Sequence, residues 1–261
     1  MPDHDDFGGI SRDLPRLLGR RRMLGLLAGA GALTLAGCAA ATSAPSGGAS
    51  TATGTTTGEI PQETAGPYPA DGSNGPNVLD DAGIVRSDIR ASFGGSGTVA
   101  QGVPLTITLD LTRDGAALAG AAVYLWHCDR DGNYSLYSRG VTGENYLRGV
   151  QASDSAGTVR FTSVFPACYS GRWPHAHFEV YESLAAATSS GAAISTSQLA
   201  LPKDVCDTVY ATSGYAQSVR NLSQVSLSSD NVFRDDSAVR QLATVTGSVA
   251  GGYAATLAVP V

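Results

Sequence analysis

The sequence predicts an all-β fold, a β-sandwich with few short helices. Three observations lead there. Charged residues are only 15% of the chain and glycines number 32, a composition that suits short strands and tight turns better than a helical bundle. Apolar and polar residues alternate over short segments, the period of a half-buried strand. Gly- and Asp-containing turn signals separate those segments. With 261 residues, 43% of them apolar, the chain can bury a core without relying on disulfides. A formal charge of −6 argues against nucleic-acid binding, which needs clustered Lys and Arg to neutralise phosphates.

The N-terminus reads as an export signal over residues 1–37. Arg20, Arg21 and Arg22 precede an apolar run over 23–37, too short to span a bilayer comfortably. The order Arg20-Arg21-x-Met23-Leu24 resembles a twin-arginine signal. Leu35-Ala36-Gly37-Cys38 resembles a bacterial lipobox, with Cys38 the lipidated residue. The expected product is an exported, membrane-anchored lipoprotein on the extracytoplasmic face. Without residues 1–37 the chain keeps 12 basic and 19 acidic side chains. Residues 38–62 are Ala, Thr, Ser and Gly with almost no charge, a flexible tether. Residues 63–261 are the expected folded domain.

Within that domain Val103, Leu105, Ile107, Leu109 and Leu111 alternate with other residues and predict a strand. Arg113-Asp114-Gly115 turns the chain. Ala121–His127 predicts a second strand, with Val123 and Leu125 on one face and Tyr124 and Trp126 on the other. Asp131-Gly132 is the next turn. Thr158–Val164 and His175–Tyr181 predict two more strands. Gln241–Ser248 and Tyr253–Val259 read as closing strands around Gly251-Gly252. Only Asp204–Tyr215 suggests a helix. No internal repeat is evident.

Beyond residue 38 the chain has three histidines, His127, His175 and His177. On a strand, His175 and His177 share one face while Ala176, Phe178 and Val180 face the core. Two imidazoles so placed can bind one metal ion. Nearby carboxylates are poorly spaced to complete a shell, since Glu179 sits beyond the pair. Tyrosines are available: Tyr134 after the Asp131-Gly132 turn, and Tyr169 just before Arg172-Trp173-Pro174-His175. A phenolate is a hard anionic donor suited to a trivalent ion. Because a phenol titrates near pH ~10, a strongly charged metal is needed to ionise it at neutral pH. Two Tyr with two His therefore point to Fe3+. His127 lacks an H-x-H partner and reads as packing behind the site.

These segments together resemble the intradiol ring-cleavage dioxygenases, the family of catechol 1,2-dioxygenase and protocatechuate 3,4-dioxygenase. The resemblance runs from Glu63-Thr64-Ala65-Gly66-Pro67-Tyr68 to about Leu201. Leu125-Trp126-His127-Cys128-Asp129-Arg130-Asp131-Gly132-Asn133-Tyr134 resembles the family's W-[HQ]-x-x-x-x-G-x-Y. Pro166-Ala167-Cys168-Tyr169 is similar to its P-G-x-Y, with Ala167 replacing the usual Gly. Arg172-Trp173-Pro174-His175-Ala176-His177-Phe178 is similar to R-P-A-H-I-H-F, with Pro174 directly before His175. Ser197-Gln198-Leu199 and Arg86-Ser87-Asp88-Ile89 match further family segments.

The resemblance implies one non-haem Fe3+ per chain held by Tyr134, Tyr169, His175 and His177. It implies a catechol substrate and O2, and cleavage between the two hydroxyl-bearing carbons to a cis,cis-muconate. Arg172 and Gln198 are then catalytic and substrate-binding, Tyr169 is the phenolate that leaves as catechol binds, and Tyr68 lines the substrate pocket. The helical N-terminal dimerisation domain of many cytoplasmic members is replaced here by a tether and export signal, so the sequence gives no argument for an oligomeric state. Cys128, Cys168 and Cys206 would meet an oxidising environment after export. Their connectivity is open. Pairing Cys168 with Cys206 would tie the Tyr169 loop near the Gln198 strand and leave Cys128 as the odd thiol. The rival reading is a non-enzymatic surface β-sandwich that binds a metal or an aromatic ligand. A zinc or copper hydrolase lacks a third His or carboxylate near the H-x-H.

Overall fold

The computed structural model describes residues 58–261. The signal, Cys38 and most of the tether lie outside the described residues. Chain order is β1 (Pro104–Arg113), β2 (Ala116–Ala117), β3 (Ala122–Trp126), β4 (Arg148–Ala152), β5 (Thr158–Val164), β6 (His175–Tyr181), α1 (Leu184–Ala187), β7 (Ser195–Ala200), α2 (Lys203–Tyr210), α3 (Ala216–Leu222), β8 (Thr244–Ser248) and β9 (Gly252–Pro260).

These strands form two sheets, the expected β-sandwich. In the five-stranded sheet β1 is central. It pairs antiparallel with β5 and β2 and parallel with β9, which pairs antiparallel with β8. The four-stranded sheet has the order β4-β3-β6-β7 and is antiparallel throughout. The alternation read from the sequence explains which faces meet. Leu105, Ile107, Leu109 and Leu111 of β1 pack with Val123 and Leu125 of β3 and with Ala176, Phe178 and Val180 of β6. Burying each such Leu, Ile, Val or Phe stabilises the fold by roughly 1.5–3 kcal/mol. The odd-numbered residues of β6 therefore face away from this core, and a one-residue slip would turn the histidines into the inter-sheet core and Phe178 onto the opposite face.

The structure departs from the sequence expectations in four places. The helix expected over 204–215 ends at Tyr210, and a second helix follows at Ala216. Between them Gly214 takes a positive φ of 97°, which breaks the helical run. Strand β4 comes from a segment without alternation, because Arg148 and Gly149 are both buried there. Packing begins ahead of Glu63: Ile60 is buried, and its N–H donates to the Pro260 carbonyl at 2.7 Å. Finally, the Cys168–Cys206 disulfide is absent; Cys128, Cys168 and Cys206 are free buried thiols. The Cys168 thiol donates to the Arg172 carbonyl at 3.4 Å. Burial pushes its pKa up to about 12 and that of Cys206 well above the usual thiol range. Both are thereby kept from the thiolate form that disulfide exchange requires. Among the described residues no helix is long and apolar enough to cross a membrane.

Candidate active site

The site is built on the outer face of the four-stranded sheet. Arg148, Trp126, His177 and Gln198 are register partners on β4, β3, β6 and β7. Period-two alternation puts all four on one face. The Trp126 ring stacks on His177 with centroids 5.0 Å apart and planes 5° apart, and Tyr124 stacks on Trp126 at 4.8 Å. This column fixes the plane of the His177 ring.

Two turns deliver the tyrosines. The Asp129 carboxylate accepts the N–H groups of Asp131 and Asn133 at 2.9 and 2.8 Å. Its other oxygen takes the Tyr146 hydroxyl at 3.0 Å. Gly132 completes the turn at φ 88°, where a Cβ would lie 3.3 Å from that of Tyr169. Only glycine combines that backbone with that approach. Tyr134 and Tyr169 then meet edge to face at 5.9 Å.

Four polar atoms converge on Nε2 of His175: His177 Nε2 at 3.1 Å, Tyr169 Oη at 3.3 Å, Arg172 Nη1 at 3.4 Å and Tyr134 Oη at 3.5 Å. The His175 Nδ1–H donates to the Trp173 carbonyl at 2.5 Å, which leaves the Nε2 lone pair facing the cluster. Nδ1 of His177 has no partner among the described residues. Burial first, and the Arg172 charge second, hold the His175 pKa well below the usual imidazole range. For His177 burial is followed by His175 itself. Both rings are thus neutral and able to act as ligands. Burial, followed by neighbouring Tyr169, pushes the Tyr134 phenol well above its usual range, so ionising it takes a strong cation.

This donor set fits a ferric ion. Donors bonded to a small cation at about 2.1 Å and about 90° apart lie roughly 3 Å from each other, close to the His175–His177 separation. Among the described residues no group of three or more His, Cys, Asp or Glu side chains is arranged to hold a metal. The candidate shell is two His and two Tyr.

Arg172 is 3% exposed. Its Nε donates to Asp230 Oδ2 at 2.9 Å and its Nη2 to Gln198 Oε1 at 2.6 Å. Gln198 is held in turn by its Nε2–H, which donates to the Thr64 carbonyl at 2.9 Å. That carbonyl belongs to a strap, residues 60–68, running along β7. The Glu63 N–H donates to the Thr196 carbonyl and the Ser197 hydroxyl to the Pro61 carbonyl. In the strap Gly66 has φ 71°, and a Cβ there would lie 3.1 Å from His177 Cε1. Half-buried Tyr68 follows, stacked on Tyr134 at 4.7 Å.

The structure therefore brings Tyr68, Tyr134, Tyr169, Arg172, His175, His177 and Gln198 to one place. His127 is used elsewhere: its ring nitrogens lie 2.7 Å from the Cys128 carbonyl and 2.7 Å from the Ser163 hydroxyl. Sequence reasoning missed two residues. Asp230 lies on an irregular segment with no pattern to mark it. Arg148, 1% exposed, bonds the Pro69 carbonyl, the Tyr124 hydroxyl and Ser135, joining the strap to the Tyr134 loop. No sequence signal marked it, because its segment lacks the alternation of a half-buried strand.

Residues 74–194 match the family model described as Dioxygenase. That stretch contains both tyrosines, Arg172 and both histidines. The fold of the chain is that of the intradiol ring-cleavage dioxygenases. It is similar to an intradiol ring-cleavage dioxygenase from Tetranychus urticae, with 23% identity and a TM-score of 0.59 over 78% of this chain and 94% of that one. It is also similar to the dioxygenase domain of a dioxygenase carbohydrate-binding protein fusion from Streptomyces sp. SirexAA-E, with 20% identity and a TM-score of 0.50 over 78% and 98%.

Proposed function

We propose that the protein is a non-haem Fe3+ dioxygenase that opens a catechol between its two hydroxyl-bearing carbons, using O2, to a cis,cis-muconate-type product. The observation that carries this reading is the convergence of Tyr134, Tyr169 and His177 on His175 Nε2, beside a fixed guanidinium. When bound, the ferric ion supplies Lewis-acid activation and orientation of the catecholate. The chain's own residues do the rest. His175 is held in one tautomer by Trp173, and His177 is held flat by Trp126. Tyr169, less buried than Tyr134, takes a catechol proton at its Oη as substrate enters. Arg172 turns Nη1 toward the site, where it meets charge developing on the ring. Gln198 steadies that guanidinium, and Tyr68 offers an aromatic wall beside Tyr134.

Oxygen uptake by the iron-loaded protein over catechol, protocatechuate and hydroxyquinol tests the reading. Consumption of O2 with one of them supports it. Iron binding without O2 consumption on any of them would instead make this a non-enzymatic binding module.

The reading includes export as a twin-arginine lipoprotein, which rests on Arg20, Arg21 and Cys38. A physical rationale is that iron enters a folded site before transport. Changing Arg20 and Arg21 together to Lys should retain the protein in the cytoplasm, and Cys38→Ala should release it from the membrane. Normal surface display of the first variant, or continued anchoring of the second, would remove those assignments.

A further inference from the structure

We infer that Asp230 is a positioning residue that aims Arg172 at the substrate; the inference rests on the functional reading above. The guanidinium has three corners. Nε is held by Asp230 Oδ2 and Nη2 by Gln198 Oε1, which leaves Nη1, 3.4 Å from His175 Nε2, facing the ligand cluster. Asp230 is itself immobilised. It is fully buried, and Oδ2 also accepts the Trp173 N–H at 2.7 Å. Oδ1 accepts the N–H groups of Val232 and Phe233 at 2.8 and 3.1 Å. One carboxylate thus sets both the guanidinium and the backbone of Trp173.

Alternative uses of this carboxylate do not fit. Its two oxygens are taken by the Arg172 guanidinium and by the N–H groups of Trp173, Val232 and Phe233, so neither is turned toward the ligand cluster. Arg172 and Asp230 form an ion pair in which both side chains are buried. Such pairs are weak sources of stability, whereas a fixed fork geometry is what directional recognition of an anion needs.

The test is a double-mutant cycle of Asp230→Asn and Arg172→Ala on the iron-loaded protein. It uses kcat and KM on whichever catechol the wild type cleaves, anaerobic calorimetric binding of that catechol, and thermal unfolding of all four proteins. Asp230→Asn keeps the volume and removes the charge that fixes Nε. Misaiming a group by about 1 Å can cost on the order of 100-fold, so a fall in kcat of about that size is expected in the wild-type background. In the Arg172→Ala background the same change should cost less than about threefold, because the residue that it aims is gone. Equal losses in both backgrounds, or a loss that tracks unfolding temperature alone, would make Asp230 merely structural. Wild-type kcat and catechol affinity in Asp230→Asn would overturn the inference while leaving the dioxygenase reading intact. A wild type that neither binds nor cleaves any catechol would overturn both.

Discussion

Gly66→Ala isolates the link between the strap and His177. Gly66 has φ 71°, and the added Cβ would lie 3.1 Å from His177 Cε1 and 3.7 Å from its Nε2. A left-handed backbone at a non-glycine residue costs about 1–2 kcal/mol. Ordinary carbon contacts begin near 3.5 Å, so the ring must also yield by a few tenths of an ångström, against its stacking on Trp126. For a domain of this size the backbone cost alone lowers Tm by roughly 2–8 °C. Disturbing a residue that supports a ligand typically reduces metal affinity about 10- to 100-fold; the small displacement places this variant near the lower figure. Gly94→Ala is the matched control: its φ is 79°, and a Cβ there meets nothing within 4 Å. Thermal unfolding and chelator competition for Fe3+ should show both variants strained and only Gly66→Ala weakened in iron binding. Equal iron affinity in the two would show that the strap does not bear on His177.

Tyr169→Phe should retain substantial iron, show an altered visible phenolate-to-iron band and lose most turnover, whereas fully buried Tyr134→Phe should lose more iron. Unchanged colour and turnover in both would remove the tyrosines from the site. His127 has a second, pH-dependent signature. Burial, opposed by its contact to the Cys128 carbonyl, lowers its pKa from 6.5 to about 4. The unfolded chain therefore binds the extra proton between those values. Its contribution is complete above pH ~6.5 and is lost as pH falls toward ~4, about 3 kcal/mol in all. Denaturant unfolding from pH 7 to 4 should be less steeply pH-dependent in His127→Gln than in the wild type, and parallel curves would refute the assignment. Phe161→Ala, fully buried in the inter-sheet core, should cost about 3–5 kcal/mol, read by denaturant unfolding. A loss below ~1 kcal/mol would contradict the packing described.

Strands β1, β3, β5 and β6 were legible because each is half-buried or carries a distinct face, so period two survives in the residues. The same argument gave the common face of His175 and His177 before any contact was known. Strand pairing was not legible: nothing in Leu105–Leu111 or Tyr253–Val259 specifies that β1 and β9 run parallel. Strand β4 was hidden because Arg148, a residue that normally signals surface, is buried by four hydrogen bonds to neutral groups. Asp230 was hidden by distance, since its tie to Trp173 spans 57 positions. The cysteine pairing failed because an oxidising compartment was the only argument for it, and burial holds the thiols protonated.

The most direct measurement is the identity of the product formed from catechol under 18O2 by the iron-loaded full-length protein. The account predicts a cis,cis-muconate opened between the two original hydroxyl-bearing carbons, with 18O in its new carboxylates. A product cleaved beside the hydroxyl pair, or one without label, would contradict it.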